Sequence, residues 1–438
     1  MKNTKLLTTV ILICLIAFGA LTLLLNDGDG ETQEYETAVS LAKDYMEREL
    51  YQMAIKECNR AISIKDSEEL RDLILEAYEK EYQQSAAIIN DYTTAAQSAA
   101  AAYPKNENYY IVLTKDYVRN DNYQSAYRTL KKAMDNGMNS EEITKLYIEI
   151  KYAFDTKWYS YSDILPCVSG RYPVMNSEKW GYIDEKGDNA VNLDYSFVSQ
   201  LGDEGIRILS SEQNVLVDEN DVVRGKLSFV PKQAGTFAEG FIAIHNGKSF
   251  GYYNPLGDYK FGEYLDASDF QDGMAAVCVK EKEWFFVDTN GKVTSEDKYE
   301  DIVINPDGSY RVNGVMLAKK DGKYRLYDSN NKEIDKFTCD NVDILNEFGI
   351  FAFELDGKWG FANVSGDVVI EAQYDSAKSF SKGLAAVCKN EKWGFIDEKG
   401  ELVIDFQFVD ADYFNSKQYC FVKTTPGTWQ MIQLKVNF

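Results

Sequence analysis

The chain has 438 residues, 45% of them hydrophobic and 13% aromatic, enough for two or three domains with cores of their own and unlike a disordered chain. Its formal net charge is −23, from 70 acidic and 47 basic residues, and neither half is basic; such a surface repels phosphate backbones and argues against nucleic acid as a partner. The seven cysteines (14, 58, 167, 278, 339, 388 and 420) are scattered and form no CxxC pair, the pattern of small buried hydrophobes rather than of a disulfide framework or zinc site.

Residues 6–25, "LLTTVILICLIAFGALTLLL", carry no charge. At the helical rise they span about 30 Å, the thickness of a bilayer's hydrocarbon core. Lys2 and Lys5 precede them and Asp27, Asp29, Glu31 and Glu34 follow, so the basic residues keep the N-terminus in the cytoplasm. Cleavage as a signal peptide after Ala17 or Gly19 would leave an apolar new terminus. The segment therefore reads as an uncleaved single-pass anchor, with residues 1–30 as cytoplasmic tip and transmembrane helix. The expected location is the cell membrane, with the bulk of the chain outside the cytoplasm.

Residues 31–157 hold one proline, Pro104, and long runs of helix formers. Leu41, Ala42 and Tyr45 make one helical stripe; Ala54, Cys58 and Ala61 make a second after a break near "RELY". Small residues seven apart let two antiparallel helices approach closely. The scheme returns with Leu113, Thr114, Tyr117, Ala126, Leu130 and Ala133, and residues 70–100 leave room for one more unit, with Tyr78 and Ala87 at the matching places. Residues 141–154 read as a closing amphipathic helix. This arrangement resembles the tetratricopeptide repeat family, whose stacked helix pairs form a superhelix and commonly bind a peptide or a partner's helix. A spacer role for the stack is the other reading.

Downstream, one pattern recurs: "WGYID" at 180, "NVLVD" at 214, "FGYYN" at 250, "WFFVD" at 284, "YRLYD" at 324, "WGFAN" at 359, "WGFID" at 393 and "WQMIQ" at 429. The steps are 34, 36, 34, 40, 35, 34 and 36 residues. A fixed period over eight positions is an internal structural repeat, not a duplicated active site. Most copies end in a short polar loop, such as Asp184 to Gly187 or Asp397 to Gly400, which signals a hairpin. A second signature aligns Ala377, Phe380 and Gly383 with Ala267, Phe270 and Gly273 and with Ala234, Phe237 and Gly240. Residues 160–438 resemble the WG-repeat family of bacteria, named for its Trp-Gly pair. Only the copies at Trp180-Gly181, Trp359-Gly360 and Trp393-Gly394 keep that pair. Phe250-Gly251, Trp284 and Trp429 are variants, and the copies at 214 and 324 are degenerate. The motif residues read as the packing core of each unit. Three to four short strands in about 35 residues cannot bury an aromatic face alone, so units must stack. A β-propeller of seven to eight small blades is favoured, with "GRYPVMN" (170–176) joining the last unit to close the ring. A linear β-solenoid is the alternative.

No catalytic constellation stands out in the sequence. The only histidine, His245, sits in an "IAIHNGKS" hairpin, poorly placed for a nucleophile–base pair. "NGKS" (246–249) lacks the earlier glycine of a phosphate loop, since position 242 is Ile. The loop at Asp288 lacks the later glutamate of a calcium loop. The fold class is thus α+β multidomain: the transmembrane helix, a tetratricopeptide-like α-solenoid over 31–157 and an all-β repeat domain over 158–438. The expected function is non-catalytic binding or scaffolding in the cell envelope. No cofactor or metal is expected, a protein is the expected partner, and a wall polymer or glycan held by a lectin-like head is the alternative.

Overall fold

A computed structural model describes residues 30–84, 89–202, 204–334, 337–425 and 427–438. They form two compact units that divide between Lys151 and Tyr152. Among the described residues no helix is long and apolar enough to cross a membrane. The expected membrane-spanning element, and the single-pass cell-membrane location drawn from it, are corrected accordingly. Residues 6–25, on which that expectation rested, lie outside the described residues.

The first unit consists of α1 (30–47), α2 (Tyr51–Ile64), α3 (Glu68–Gln84), α4 (Ile89–Ala102), α5 (Glu107–Arg119), α6 (Tyr123–Asp135) and α7 (Glu141–Lys151). Side-chain oxygens start four of them. Ser67 accepts from Leu70 N–H, Asn106 from Asn108 N–H, Asn122 from Ser125 N–H and Ser140 from Ile143 N–H, occupying donors that have no partner within the helix. Ala42, Ala54, Cys58, Ala61, Ala126, Leu130 and Ala133 are fully buried, whereas Tyr45 and Tyr117 are half-buried. The Tyr117 hydroxyl accepts from Gln97 Nε2 at 2.5 Å. Tyr78 is buried and stacks on Tyr92; Ala87 lies outside the described residues.

The second unit is an eight-bladed β-propeller. Eight antiparallel sheets follow one another at 163–195, 197–227, 233–264, 266–299, 301–339, 341–374, 376–408 and 410–434. The recurrent motif is always the third strand of its blade, from Lys179–Asp184 in blade 1 to Thr428–Leu434 in blade 8. The ring closes, but not with the segment expected. Arg171–Asn176 is the second strand of blade 1, paired with Lys179–Asp184. The outer strand of blade 8 is instead Phe154–Tyr161, in register from Phe154↔Leu434 to Tyr161↔Trp429. That strand runs across the expected domain boundary at 157/158. The turn at Gly187 in blade 1 then seats against Tyr159 as the turn at Gly400 in blade 7 seats against Ile370 of blade 6. A closed ring with matching joints excludes the linear solenoid.

The letters of the motif have separate tasks. The third letter is the core. Tyr182, Tyr252, Phe286, Phe361 and Phe395 are at most 2% exposed, and most meet an inner-loop ring of the next blade. The centroid distances are 4.8 Å for Tyr252–Phe270, 5.3 Å for Phe286–Tyr310, 4.8 Å for Phe361–Phe380 and 5.0 Å for Phe395–Phe414. Trp180, Trp359 and Trp393 lie at the cluster edge and are half-buried, while Trp284, Trp429 and Phe250 are buried. The glycine is demanded by its outer neighbour. Where the pair is complete, the fourth strand bulges, so that Trp359↔Tyr374 is followed by Phe361↔Ile370. A Cβ at Gly360 would stand 2.6 Å from Ile370 O, and one at Gly181 2.5 Å from Val191 O. In blades 4 and 5 this position is Phe285 or Arg325, and the fourth strand is reduced to isolated bridges, Trp284↔Tyr299 and Val287↔Val293, then Tyr324↔Cys339 and Tyr327↔Glu333. Gly251 keeps a bulged partner strand, facing Gly262.

Candidate functional site

In seven of the eight blades the innermost strand is only two residues long, such as Asp266-Ala267 or Ser376-Ala377, and in blade 3 it is Gln233–Ala238. The loops that leave these strands line the ring's centre. In blade 5 this loop is long, and its turn Asn305-Pro306-Asp307-Gly308 reaches three other blades. Asp307 O lies 3.0 Å from Thr236 Oγ1 in blade 3, Gly308 O accepts from Asp269 N–H (3.0 Å) in blade 4, and Asn305 Oδ1 from Leu345 N–H (3.0 Å) in blade 6. Asn305, Pro306 and Asp307 help line a cavity of about 390 Å³, and Asn305, Pro306 and Gly308 one of about 600 Å³. The turn therefore stands between two chambers. It accounts for the 40-residue step in an otherwise even ladder, which is the signal of this loop in the sequence.

The smaller chamber is rimmed by Glu185, Asp307, Glu347, Lys382 and Asp412. Beside it, Lys378 Nζ lies 3.5 Å from Asp412 Oδ1, and the Tyr413 hydroxyl donates to Asp343 Oδ2 at 2.7 Å. Burial opposes the charge on Lys378, but Asp412, Asp343 and Asp410 around it hold the ammonium protonated. Complete burial leaves the Asp412 carboxyl above its usual range despite that neighbour. Burial pushes the Cys167 thiol, on the chamber wall, up to about 12, which makes it a poor nucleophile.

The larger chamber contains Trp180, Phe197, Phe250, Asp266, Asp269 and a single basic residue, Lys232. Asp269 is 4% exposed. Its Oδ2 accepts from Thr236 N–H at 2.8 Å and Oγ1–H at 2.5 Å, while its Oδ1 has no hydrogen-bond partner among the described residues. Burial, aided by Asp307, raises this carboxyl to about 7 against the pull of the two Thr236 bonds. In the helical unit a third cavity, about 370 Å³, lies over α3, α4 and α5. There Arg119 pairs with Glu79 at 3.0 Å and covers the Tyr82 ring at 4.5 Å.

Of the signature residues Ala234 and Ala267 also line the larger chamber, whereas His245, Asp288 and the remaining described cysteines lie outside. His245 ends a strand; its Nδ1 accepts from Gly247 N–H at 3.1 Å and its ring meets Phe250 edge-on. Asp288 Oδ1 accepts from Asn290 and Lys292 N–H, both at 2.9 Å, as turn aspartates do. Cys58, Cys278, Cys339, Cys388 and Cys420 are buried free thiols, and Cys14 lies outside the described residues. Among the described residues no group of three His, Cys, Asp or Glu side chains could hold a metal ion.

The chain is similar to the crystal structure of BamB from Moraxella catarrhalis, at 10% identity over 64% of this chain and 100% of that one, with a TM-score of 0.43. A eukaryotic initiation factor matches at 13% identity over 57% and 77%, with a TM-score of 0.41. The WD40 β-propeller domain of Doa1 matches at 12% over 64% and 95%, with a TM-score of 0.31. Among curated proteins no relative is similar enough in sequence to match. Residues 359–393 and 393–425, each running from one third strand toward the next, match the family of the WG containing repeat, in agreement with the Trp-Gly ladder.

Proposed function

We propose that this chain is a non-catalytic scaffold that binds a protein partner on the outer edge of its propeller. The observation that carries the proposal is a row of exposed apolar side chains in one register. The residue opposite the fourth motif letter is Val223, Tyr259, Val293, Val368 and Leu402 in blades 2, 3, 4, 6 and 7, and each is 40–51% exposed. In blade 8 the outer strand presents Trp158, 91% exposed. Single exposed apolar residues are ordinary, but a row repeated by blade, with a bare tryptophan, is the composition of a binding surface. The helical stack, with its tetratricopeptide-like pairing, would add a second contact surface.

The test uses residues 30–438 as bait in an extract of the producing cell, beside a variant carrying W158E, V293E, V368E and L402E. The expected result is a discrete protein retained by the parent and lost by the variant, at unchanged melting temperature. Equal retention by both would refute the edge as the binding surface. Pelleting of the parent with an insoluble glycan, and no retained protein, would favour the lectin-like reading instead.

A further inference from the structure

We propose that the larger chamber of the propeller is a binding site for a small organic ammonium ion, with Asp269 as its counter-ion. The site is distinct from the outer edge and does not depend on it. Asp269 lies at the chamber wall with Oδ2 fully engaged by Thr236 and Oδ1 unengaged. A buried carboxyl oxygen without a donor is costly, and a ligand that brings a donor removes that cost. The backbone packs directly against it. Gly235 and Gly308 flank the carboxyl, and a Cβ on either would collide with it.

The remainder of the wall suits a cation with an apolar body. Trp180, Phe197 and Phe250 supply ring surface, and Asp266 a second carboxyl, against the one ammonium of Lys232. Aromatic faces beside carboxylates favour organic ammonium over a bare metal ion, which would want several oxygen ligands. The chamber's 600 Å³ is of the size that holds small molecules. The chain's charge of −23 draws cations toward it.

The probe is benzylammonium, with benzyl alcohol as its uncharged counterpart, titrated calorimetrically into residues 30–438. Saturable binding of benzylammonium is expected, at least tenfold tighter than that of benzyl alcohol, and weakened at least tenfold by Asp269→Asn. A second reading needs no variant. The free carboxyl is about half protonated near pH 7, and a bound ammonium stabilises its ionised form. Binding should therefore release about half a proton at pH 7, more at pH 6 and less at pH 8, measured in buffers of different ionisation enthalpy. Lys232, Asp266 and Asp307 also face this chamber or its turn. No saturable binding, equal binding of the alcohol, or binding without proton release would each overturn the proposal.

Discussion

Gly394→Ala tests the reading that the Trp-Gly pair exists for its outer strand. A Cβ there would lie 2.6 Å from Ile404 O and 3.0 Å from the Asp405 carbonyl carbon and Phe406 N. Non-bonded carbon contacts settle near 3.5 Å, so the outer strand must move by almost 1 Å. It cannot move freely, because Ile404 and Phe408 are buried, at 4% and 3% exposure. Overpacking of this kind costs about 1–3 kcal/mol, and loosening two ladder hydrogen bonds adds about 1 kcal/mol each at most. The expected loss is about 2–4 kcal/mol, which lowers the melting temperature of a propeller this size by roughly 5–10 °C. Gly357→Ala is the control. Its φ is +77° and nothing lies within 4 Å of the added carbon, so only the left-handed strain of about 1–2 kcal/mol applies. The assay is thermal unfolding followed by the β-sheet circular dichroism signal. If Gly394→Ala melts within 1 °C of the parent, or Gly357→Ala proves the more damaging, the close-approach argument fails.

The named letter of the repeat should matter less than the unnamed one. Phe395→Ala, removing a ring 1% exposed that meets Phe414 edge-on, should cost about 3–5 kcal/mol, and Trp393→Ala, at the half-buried edge, clearly less; equal losses in a denaturant series would refute the assignment. Stability should also peak at mildly acidic pH. Backbone donors hold the Asp288 and Asp328 carboxyls below the ordinary range, so their stabilisation is present above the unfolded pKa, about 4, and disappears as pH falls through the folded value. Asp269, raised to about 7 by burial, acts in the opposite sense: the unfolded chain ionises it at about pH 4 while the folded one keeps it protonated, so on the order of 4 kcal/mol is lost progressively between about pH 4 and 7 and nothing more above. Melting temperatures should fall between pH 5.5 and pH 8 in the parent, from the part of the Asp269 loss that lies between 5.5 and about 7; Asp269→Asn should remove that fall and keep the acid loss at pH 3.5.

Much of the propeller was legible because it is written eight times. A period near 35 residues, an alternation of two and an Asp-to-Gly turn are local signals, and they placed every third strand correctly. What closes the ring was not legible. "GRYPVMN" looked like a missing half-unit because it resembles other second strands, and it is one, in blade 1. The closing strand "FDTKWYSY" carries no motif, since an outer strand with one neighbour is constrained mainly by its backbone bonds. The burial of the motif was also partly misjudged. Trp is the most visible letter, but the position two residues on points inward, where Tyr, Phe, Leu or Met all serve. Because any large apolar residue fills that place, the sequence does not advertise it. The helical unit was legible through its small residues seven apart, which are spaced for close helix contact.

The chambers were illegible for a deeper reason. Eight equal blades would enclose an eightfold-symmetric channel, and such a channel cannot prefer one orientation of an asymmetric ligand. A particular site must come from departures from the repeat. Blade 5 departs by lengthening its inner loop, which places Asn305-Pro306-Asp307-Gly308 across the ring. Blade 4 departs at the residue before the inner-loop phenylalanine. Ala267-Ser268-Asp269-Phe270 stands where blade 7 has Ala377-Lys378-Ser379-Phe380, so a buried carboxyl replaces a hydroxyl. In blade 7, Ser379 is satisfied by its neighbours: its N–H donates to Asp343 Oδ2 and its Oγ–H to Ile344 O, while Oγ accepts from Ala352 N–H. Asp269 has one oxygen satisfied and one not. A hydroxyl there would complete the packing as it does in blade 7. The carboxyl leaves a charge to be answered from inside the chamber, and that difference between two equivalent positions directs the search for a ligand to blade 4.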